Sequence, residues 1–461
     1  MIAELAKKLY ASEVAKMCGG QLHGRDTVID HISTDSRELT PGTMFIALKG
    51  ERFDGNDFVS AVLEGEGVSA MAERLPGNIE EGSAVIIVDD CVKALGRLAS
   101  AYRSLFKVTV VAVTGSVGKT TTKEFVYSVL SCKYNVIKTE GNHNNHIGLP
   151  MTIFSLKEDT QAAVIEMGMS GYGEIAYLSG IAKPDVGLIT NIGTSHIEKL
   201  GSREGIAKAK LEITEGMPES GILMLQGDEE LLKGHKALYI GKSADCDYRI
   251  SGIIEGANGT AFDLEVDGSV IESITVPTFG EHNVMNAAFA YAVGASLGMG
   301  EFEIRRGLMS YRTTGMRQSI GEFRGGTIIE DCYNASPESM IASLKVLANL
   351  SSRDKKRSVA VLGDMLELGF YSDEGHRRVG AAAAYERIDS LITFGPEACK
   401  IAKAAVDFGM DREKVFVFPD KNDVEKIGNF ILKYTGKCDI ILFKASRGIR
   451  LERVIEYVRN N

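Results

Sequence analysis

The densest chemistry in the chain lies in seven consecutive residues, Gly115-Ser116-Val117-Gly118-Lys119-Thr120-Thr121. Glycines let backbone N–H groups turn inward on an anion, and a helix starting just beyond adds partial positive charge. Lys119 supplies a mobile full charge, and Thr120 a hydroxyl suited to Mg²⁺. The set predicts a loop that cradles the phosphates of ATP. It has the form GxxGKTT, because Val113 stands where the longer Walker pattern has a glycine. A glycine-rich turn between strand and helix is the plainer alternative.

Other groups could complete such a site. Glu166 closes the apolar run AAVIE, and His196 ends TNIGTSH. Beside a phosphate loop, a carboxylate and an imidazole suit metal ions that bridge phosphates. Taken singly, they read equally as a charge at a helix N-terminus and a satisfied histidine. Thr139–Gly148 (TEGNHNNHIG) holds three asparagines and two histidines, more than turn chemistry requires. Its amides suit phosphate, metal-bound water or a substrate carboxylate. Ser33-Thr34-Asp35-Ser36-Arg37 could hold a polar ligand or form a capped turn.

These residues need rigid elements to position them. Val108–Val113 reads as a buried strand running into the loop, and further strands are predicted at 135–137, 163–166 and 186–192. Their alternation with helices marks a parallel sheet, whose ligands gather at the carboxyl ends of the strands. Residues 248–276 predict an antiparallel flap, and Gly280 opens a helix through Ala290. Residues 319–461 restart the alternation as a second doubly wound unit without a phosphate loop. Before residue 105 short strands and helices mix, and Ile2, Leu5, Leu9 and Val14 follow helical spacing. The expected fold class is α/β in three domains. A mixed α/β domain spans 1–105, a central P-loop parallel-sheet domain 106–318, and a Rossmann-like domain 319–461.

Composition sets the remaining bounds. At 461 residues, with 44% hydrophobic and 25% charged content, the chain is an ordinary globular protein with ample core. A net charge of −10 argues against generic binding to nucleic acid or to anionic membranes. The seven cysteines show no CxxC pair and fit reduced thiols. No signal peptide or membrane span is legible, so a cytoplasmic protein is expected; a monomer without stable membrane insertion is the expected state.

Taken together, TGSVGKTTTKEF, GNHNNHIGLPMT, EMGMSGYGEI and TNIGTSHIEKLGSREGIAKAKLEI resemble the central domain of the Mur ligases, ATP-dependent amino-acid or peptide ligases of peptidoglycan precursor synthesis. STDSRELTPGTMFIALKGERFDGNDF is similar to the family's UDP-binding region. IIEDCYNASPESM, VLGDMLELG with His376, and KASRGIRLERV are similar to its C-terminal domain. The resemblance runs from about residue 32 to 458 in the family's order. Within the family it points to the branch that joins D-alanyl-D-alanine to UDP-N-acetylmuramoyl-tripeptide.

The resemblance implies ATP and Mg²⁺ as cofactors and an acyl-phosphate intermediate. It implies that Lys119 contacts the nucleotide phosphates, that Thr120 and Glu166 hold one Mg²⁺, and that His196 helps hold a second. Lys210 matches a lysine carbamylated by CO₂ (N6-carboxylysine), whose anion can join Glu166 near Mg²⁺. Besides the loop residues 115–121, Asn283, Asn286, Arg317, Asp331 and Tyr333 match nucleotide-binding positions. Asp35, Ser36 and Arg37, with Asn142 and Asn145, fall to the UDP-substrate. Asp364, Lys444 and Arg447 lie in motifs facing the incoming dipeptide. Asn56 and Ser336 depart from the family's usual histidine and asparagine. Domain closure on ATP, with hinges near 105 and 318, is expected. The rivals are a ligase of the same superfamily adding one amino acid or glutamate to folate, and a P-loop ATPase acting as a switch.

Overall fold

A computed structural model describes residues 1–77 and 83–461. It contains three sheets in sequence order. The first has six strands, in spatial order Ile2–Tyr10, Val28–Ser33, Thr43–Ile46, Ser69–Ala72, Ala84–Ile87 and Gln21–Gly24. The second has nine, and the phosphate-loop strand Thr109–Thr114 lies between Ala162–Glu166 and Val186–Ile189. The third has six, five of them parallel and the edge strand Ser319–Phe323 antiparallel.

The central strand shows why an unbroken apolar run was needed. Val110 and Ala112 join one core, while Val111 and Val113 join the core on the opposite face. Side chains alternate along a strand, so a sheet covered on both faces must be apolar at every position. Parallel pairing sets Val113 opposite Glu166 and Thr114 opposite Ile189. The carboxyl ends of three strands therefore finish level, at the point where the chain changes direction across the sheet.

The helix expected from Ile2 onward is not formed as one element. Ile2–Tyr10 is a strand, and only Ala11–Cys18 is helical. A spacing of four residues satisfies both a helical and a strand period. Pairing with Val28–Ser33 decides the matter by burying Ala3, Leu5 and Leu9. The strands Ile222–Gln226 and Leu238–Gly241, which widen the central sheet, were not legible in the sequence. The flap is present as Tyr248–Glu255, Thr260–Val266 and Ser269–Val276.

One core runs without interruption from the first sheet into the central one, from Leu5 through Tyr102 to Val110 and Ile165. Tyr102 packs its ring 5.6 Å from that of Phe154, and Arg103 donates to the Ala182 carbonyl at 3.0 Å. These contacts hold the first two units together across residue 105. The third unit has its own two cores, one on each face of its sheet. Among the described residues, no helix is long and apolar enough to cross a membrane.

Candidate active site

Between the central and C-terminal units lies a cavity of about 910 Å³. The phosphate loop forms one wall. Gly118 has φ +82, and a Cβ there would sit 2.7 Å from Asn286 Oδ1, so glycine serves both the backbone and its close neighbour. Ser116 and Val117 donate their backbone N–H groups to Asn191 Oδ1 at 3.1 and 2.9 Å. Lys119 turns back onto the Gly115 carbonyl at 2.9 Å. Burial pushes its amine below the usual lysine range; Glu166 opposes that shift and Arg317 adds to it.

Glu166 is 2% exposed and is fully engaged. Thr120 donates its hydroxyl to Oε2 at 2.7 Å, and Asn144 donates its amide to Oε1 at 2.8 Å. Lys123, one turn along the helix Lys119–Leu130, lies 4.0 Å from Oε2 and 3.1 Å from Glu124. It also donates to the Thr139 carbonyl at 2.6 Å, and the Thr139 hydroxyl accepts the Glu166 N–H at 3.0 Å. Helix, strand end and asparagine-rich loop thus converge on one carboxylate.

On the far side, Asn283 and Asn286 sit on the buried face of the helix Glu281–Ser296. Thr122 donates to Asn286 Oδ1 at 3.0 Å, and Asn283 donates to Gln318 Oε1 at 2.6 Å. Among the described residues, Gln318 Nε2 is buried with no partner, a donor left for a polar ligand. Arg317 stacks 3.8 Å over the Tyr333 ring. From the third sheet, Lys444 meets Asp331 Oδ2 at 2.6 Å, and Ser343 donates to the same oxygen at 2.7 Å. Burial would raise the Asp331 carboxyl, but Lys444 and Ser343 outweigh it and hold the group below its ordinary range.

The cavity lining includes Ser116 to Thr121, Asn142, Asn145, Glu166, His196, Asn283, Asn286, Arg317, Asp331, Tyr333, Lys444 and Arg447. Lys210 lies outside the lining and is 2% exposed on the helix Arg203–Leu211. Burial and the like charge of Lys119 push its amine well below the usual lysine range.

Asp364, expected near the dipeptide, also lies outside the lining. It is 3% exposed and accepts the Ala398 N–H at 2.7 Å, which ties down the neighbouring strand-to-helix turn. Burial raises its carboxyl above the ordinary range. Asp35 and Arg37 pair with each other at 2.6 Å, within a turn closed by Ser33. Ser36 lines a separate cavity of about 440 Å³ with Leu39, Thr40, Pro41, Phe58 and Val62. Asn56 bonds Asp54 and the Glu73 N–H, and Ser336 caps the helix Pro337–Asp354, so both unusual residues have local partners.

Asn191, Lys123, Glu338 and Glu367 join the site in addition to the expected residues, and Asn144 joins it from the asparagine-rich loop 139–148. Each contacts residues distant in the chain, and only the TKE run after the loop offered a signal for Lys123.

Among the described residues, no group of three or more His, Cys, Asp or Glu side chains is placed to hold a metal. The expected donors that line the cleft are one hydroxyl, one carboxylate and one imidazole: Thr120, Glu166 and His196. Such a sparse, oxygen-rich set suits Mg²⁺, which keeps much of its shell as water and phosphate oxygen. The residues present therefore fit that ion.

Fold and site define a P-loop enzyme of three α/β units with its nucleotide cleft facing the third. Residues 28–103 match the Mur ligase family catalytic domain, 113–294 the Mur ligase middle domain, and 317–447 the Mur ligase glutamate ligase domain. The chain belongs to the Mur ligase family. It is 41% identical over 456 residues to the UDP-N-acetylmuramoyl-tripeptide–D-alanyl-D-alanine ligase of Bacillus subtilis, covering 97% of this chain and 98% of that one. It is similar to the crystal structure of MurF from Acinetobacter baumannii, with a TM-score of 0.89, 31% identity, and coverage of 99% and 100%. MurF from Thermotoga maritima in complex with ADP gives 0.82 at 33% identity, covering 93% and 97%.

Proposed function

We infer that this chain is an ATP-dependent, ADP-forming peptide ligase acting in the cytoplasm. It joins D-alanyl-D-alanine to UDP-N-acetylmuramoyl-tripeptide in peptidoglycan precursor synthesis. One observation carries the reading. A single cleft joins the phosphate loop and Glu166 to cationic side chains of the third unit, in a chain matched along its length by ligases of that name.

A carboxylate resists amine attack because its charge repels the nucleophile and oxide leaves poorly. Transfer of the γ-phosphoryl group to the tripeptide carboxylate turns that oxygen into a leaving group. The dipeptide amine then attacks and phosphate departs. Such chemistry rests on positioning and charge stabilisation. Lys119 and the N–H groups of the loop bind the phosphates. Asn283, Asn286, Arg317, Asp331 and Tyr333 hold the rest of the nucleotide.

Thr120 and Glu166 would hold one Mg²⁺ and His196 a second, and such ions would supply charge neutralisation to the transferring phosphoryl group. Lys210, whose burial and proximity to Lys119 disfavour the charged amine, would take up CO₂ as a carbamate, releasing a proton. Ser36 and its cavity, flanked by Asp35 and Arg37, receive the UDP end, and Asn142 and Asn145 lie along the substrate's path. Arg447 takes the dipeptide side. Lys444, 3% exposed and paired, anchors Asp331 instead.

An ADP-release assay tests the reading. ADP should form only when both UDP-N-acetylmuramoyl-tripeptide and D-alanyl-D-alanine are present, with one amide product per ADP. Steady ADP release without either substrate would instead indicate a switch-type ATPase. Release with a single amino acid in place of the dipeptide would indicate another ligase of the superfamily.

A further inference from the structure

His196 and Glu367 come from different units and meet across the cleft, with Nδ1 3.0 Å from Oε2. Both are non-glycine residues in the left-handed region, each with φ +62. Two loops have each taken an uncommon backbone turn to make this contact. Around it the same two units touch again. Thr194 lies 3.2 Å from both Glu338 carboxylate oxygens, and a Cβ on Gly369 would come within 2.9 Å of the Glu198 side chain. Gly193 in turn donates to Ser116 Oγ at 2.9 Å, so the loop carrying His196 is tied directly to the phosphate loop.

As a stability contact the pair has little to offer, because Glu367 is 66% exposed. As a device for orienting an imidazole it fits well. A metal-binding histidine is normally fixed by a carboxylate on its other ring nitrogen, which sets both tautomer and ring plane. Here Nδ1 is engaged, leaving Nε2 on the opposite side of the ring, in a residue that lines the cleft.

We propose that Glu367 is a positioning residue that orients His196 for a divalent cation only when the third unit is docked, so that closure and completion of the metal site are one event. This rests on the reading of His196 as a metal ligand given under Proposed function. It explains why the carboxylate is supplied by the moving unit rather than by the central sheet. An open enzyme would hold ATP on its phosphate loop with His196 unoriented, and phosphoryl transfer would wait for docking.

The test uses the full-length chain with Mn²⁺ as the probe. Bound Mn²⁺ is counted by electron paramagnetic resonance with a non-hydrolysable ATP analogue and UDP-N-acetylmuramoyl-tripeptide present, and ligation is assayed in parallel. Glu367→Gln should weaken the second Mn²⁺ by ~10-fold or more and lower kcat comparably. KM for ATP and the melting temperature should stay at wild-type values. In a His196→Ala background, Glu367→Gln should change nothing further. Unchanged Mn²⁺ affinity in Glu367→Gln would overturn the proposal, as would an equal loss in the His196→Ala background. A wild-type enzyme that ligates with a single bound Mn²⁺ would overturn the role of His196 and this proposal with it, leaving the ligase reading intact. Failure of the wild type to ligate would instead remove that reading.

Discussion

Lys119 donates to the Gly115 carbonyl of its own loop, which fixes its amine beside the phosphate loop. Removing a preorganised charge of this kind costs ~10²–10³ in rate. Lys119→Ala should therefore lower kcat by about that factor in the coupled assay while the fold remains intact by circular dichroism. Gly118→Ala places a side chain at φ +82 and beside Asn286. It should cost about 1–2 kcal/mol in stability from the left-handed backbone alone, and weaken ADP binding measured by calorimetry.

Lys210 yields a pH prediction. Its amine is pushed down in the folded chain, so between that lowered value and the ordinary 10.5 the unfolded chain binds more protons. Stability then rises with pH across that window. In CO₂-free buffer, denaturant unfolding should show a steeper rise with pH above neutrality for wild type than for Lys210→Met. Activity lost in Lys210→Ala should return with small carboxylic acids if the carbamate acts there. The loop residues were legible because they are contiguous. Asn191, Glu338 and Glu367 were not, because their partners lie far away in the chain. Asp364 was legible as a motif position, but which way its side chain faces was not.

The helix Lys119–Leu130 does two jobs, presenting the loop lysine at its start and packing the central sheet along its length. Phe125 is fully buried and stacks on Tyr311, with ring centroids 3.8 Å apart and planes 15° apart. Phe125→Ala should destabilise the chain by about 3–5 kcal/mol, read by denaturant unfolding. Because Tyr311 precedes the connection to the third unit, ADP affinity should fall as well. At this scale the sequence reading did best where apolar runs were long, as in all the buried strands around the loop. It did worst at Ile2–Tyr10, where a four-residue spacing fits two periods, and at the short strands Gln21–Gly24 and Ser69–Ala72, which only their sheet neighbours define.

Across the whole molecule, the shared core at residue 105 leaves the segment around 312–318 as the place to bend. Gly315 and Gln318 both have positive φ there, at +62 and +53. At the joint expected to hinge near 105, Tyr102 and Phe154 pack their rings and Arg103 donates to the Ala182 carbonyl. The contacts that hold the third unit in place, such as Glu367 with His196 and Glu338 with Thr194, are partly exposed polar pairs. Each such pair is worth ~0–1 kcal/mol, too little to keep the cleft shut alone. Small-angle scattering should show the chain becoming more compact when ATP and UDP-N-acetylmuramoyl-tripeptide are added together. An unchanged radius of gyration would count against closure.

The phosphate held by the loop is, on this account, given to a carboxylate rather than to water. Isotope transfer tests that directly. With ¹⁸O in the terminal carboxylate of UDP-N-acetylmuramoyl-tripeptide, each turnover with D-alanyl-D-alanine should deliver one ¹⁸O to the released phosphate, read by mass spectrometry. Amide product accompanied by unlabelled phosphate would contradict the acyl-phosphate route.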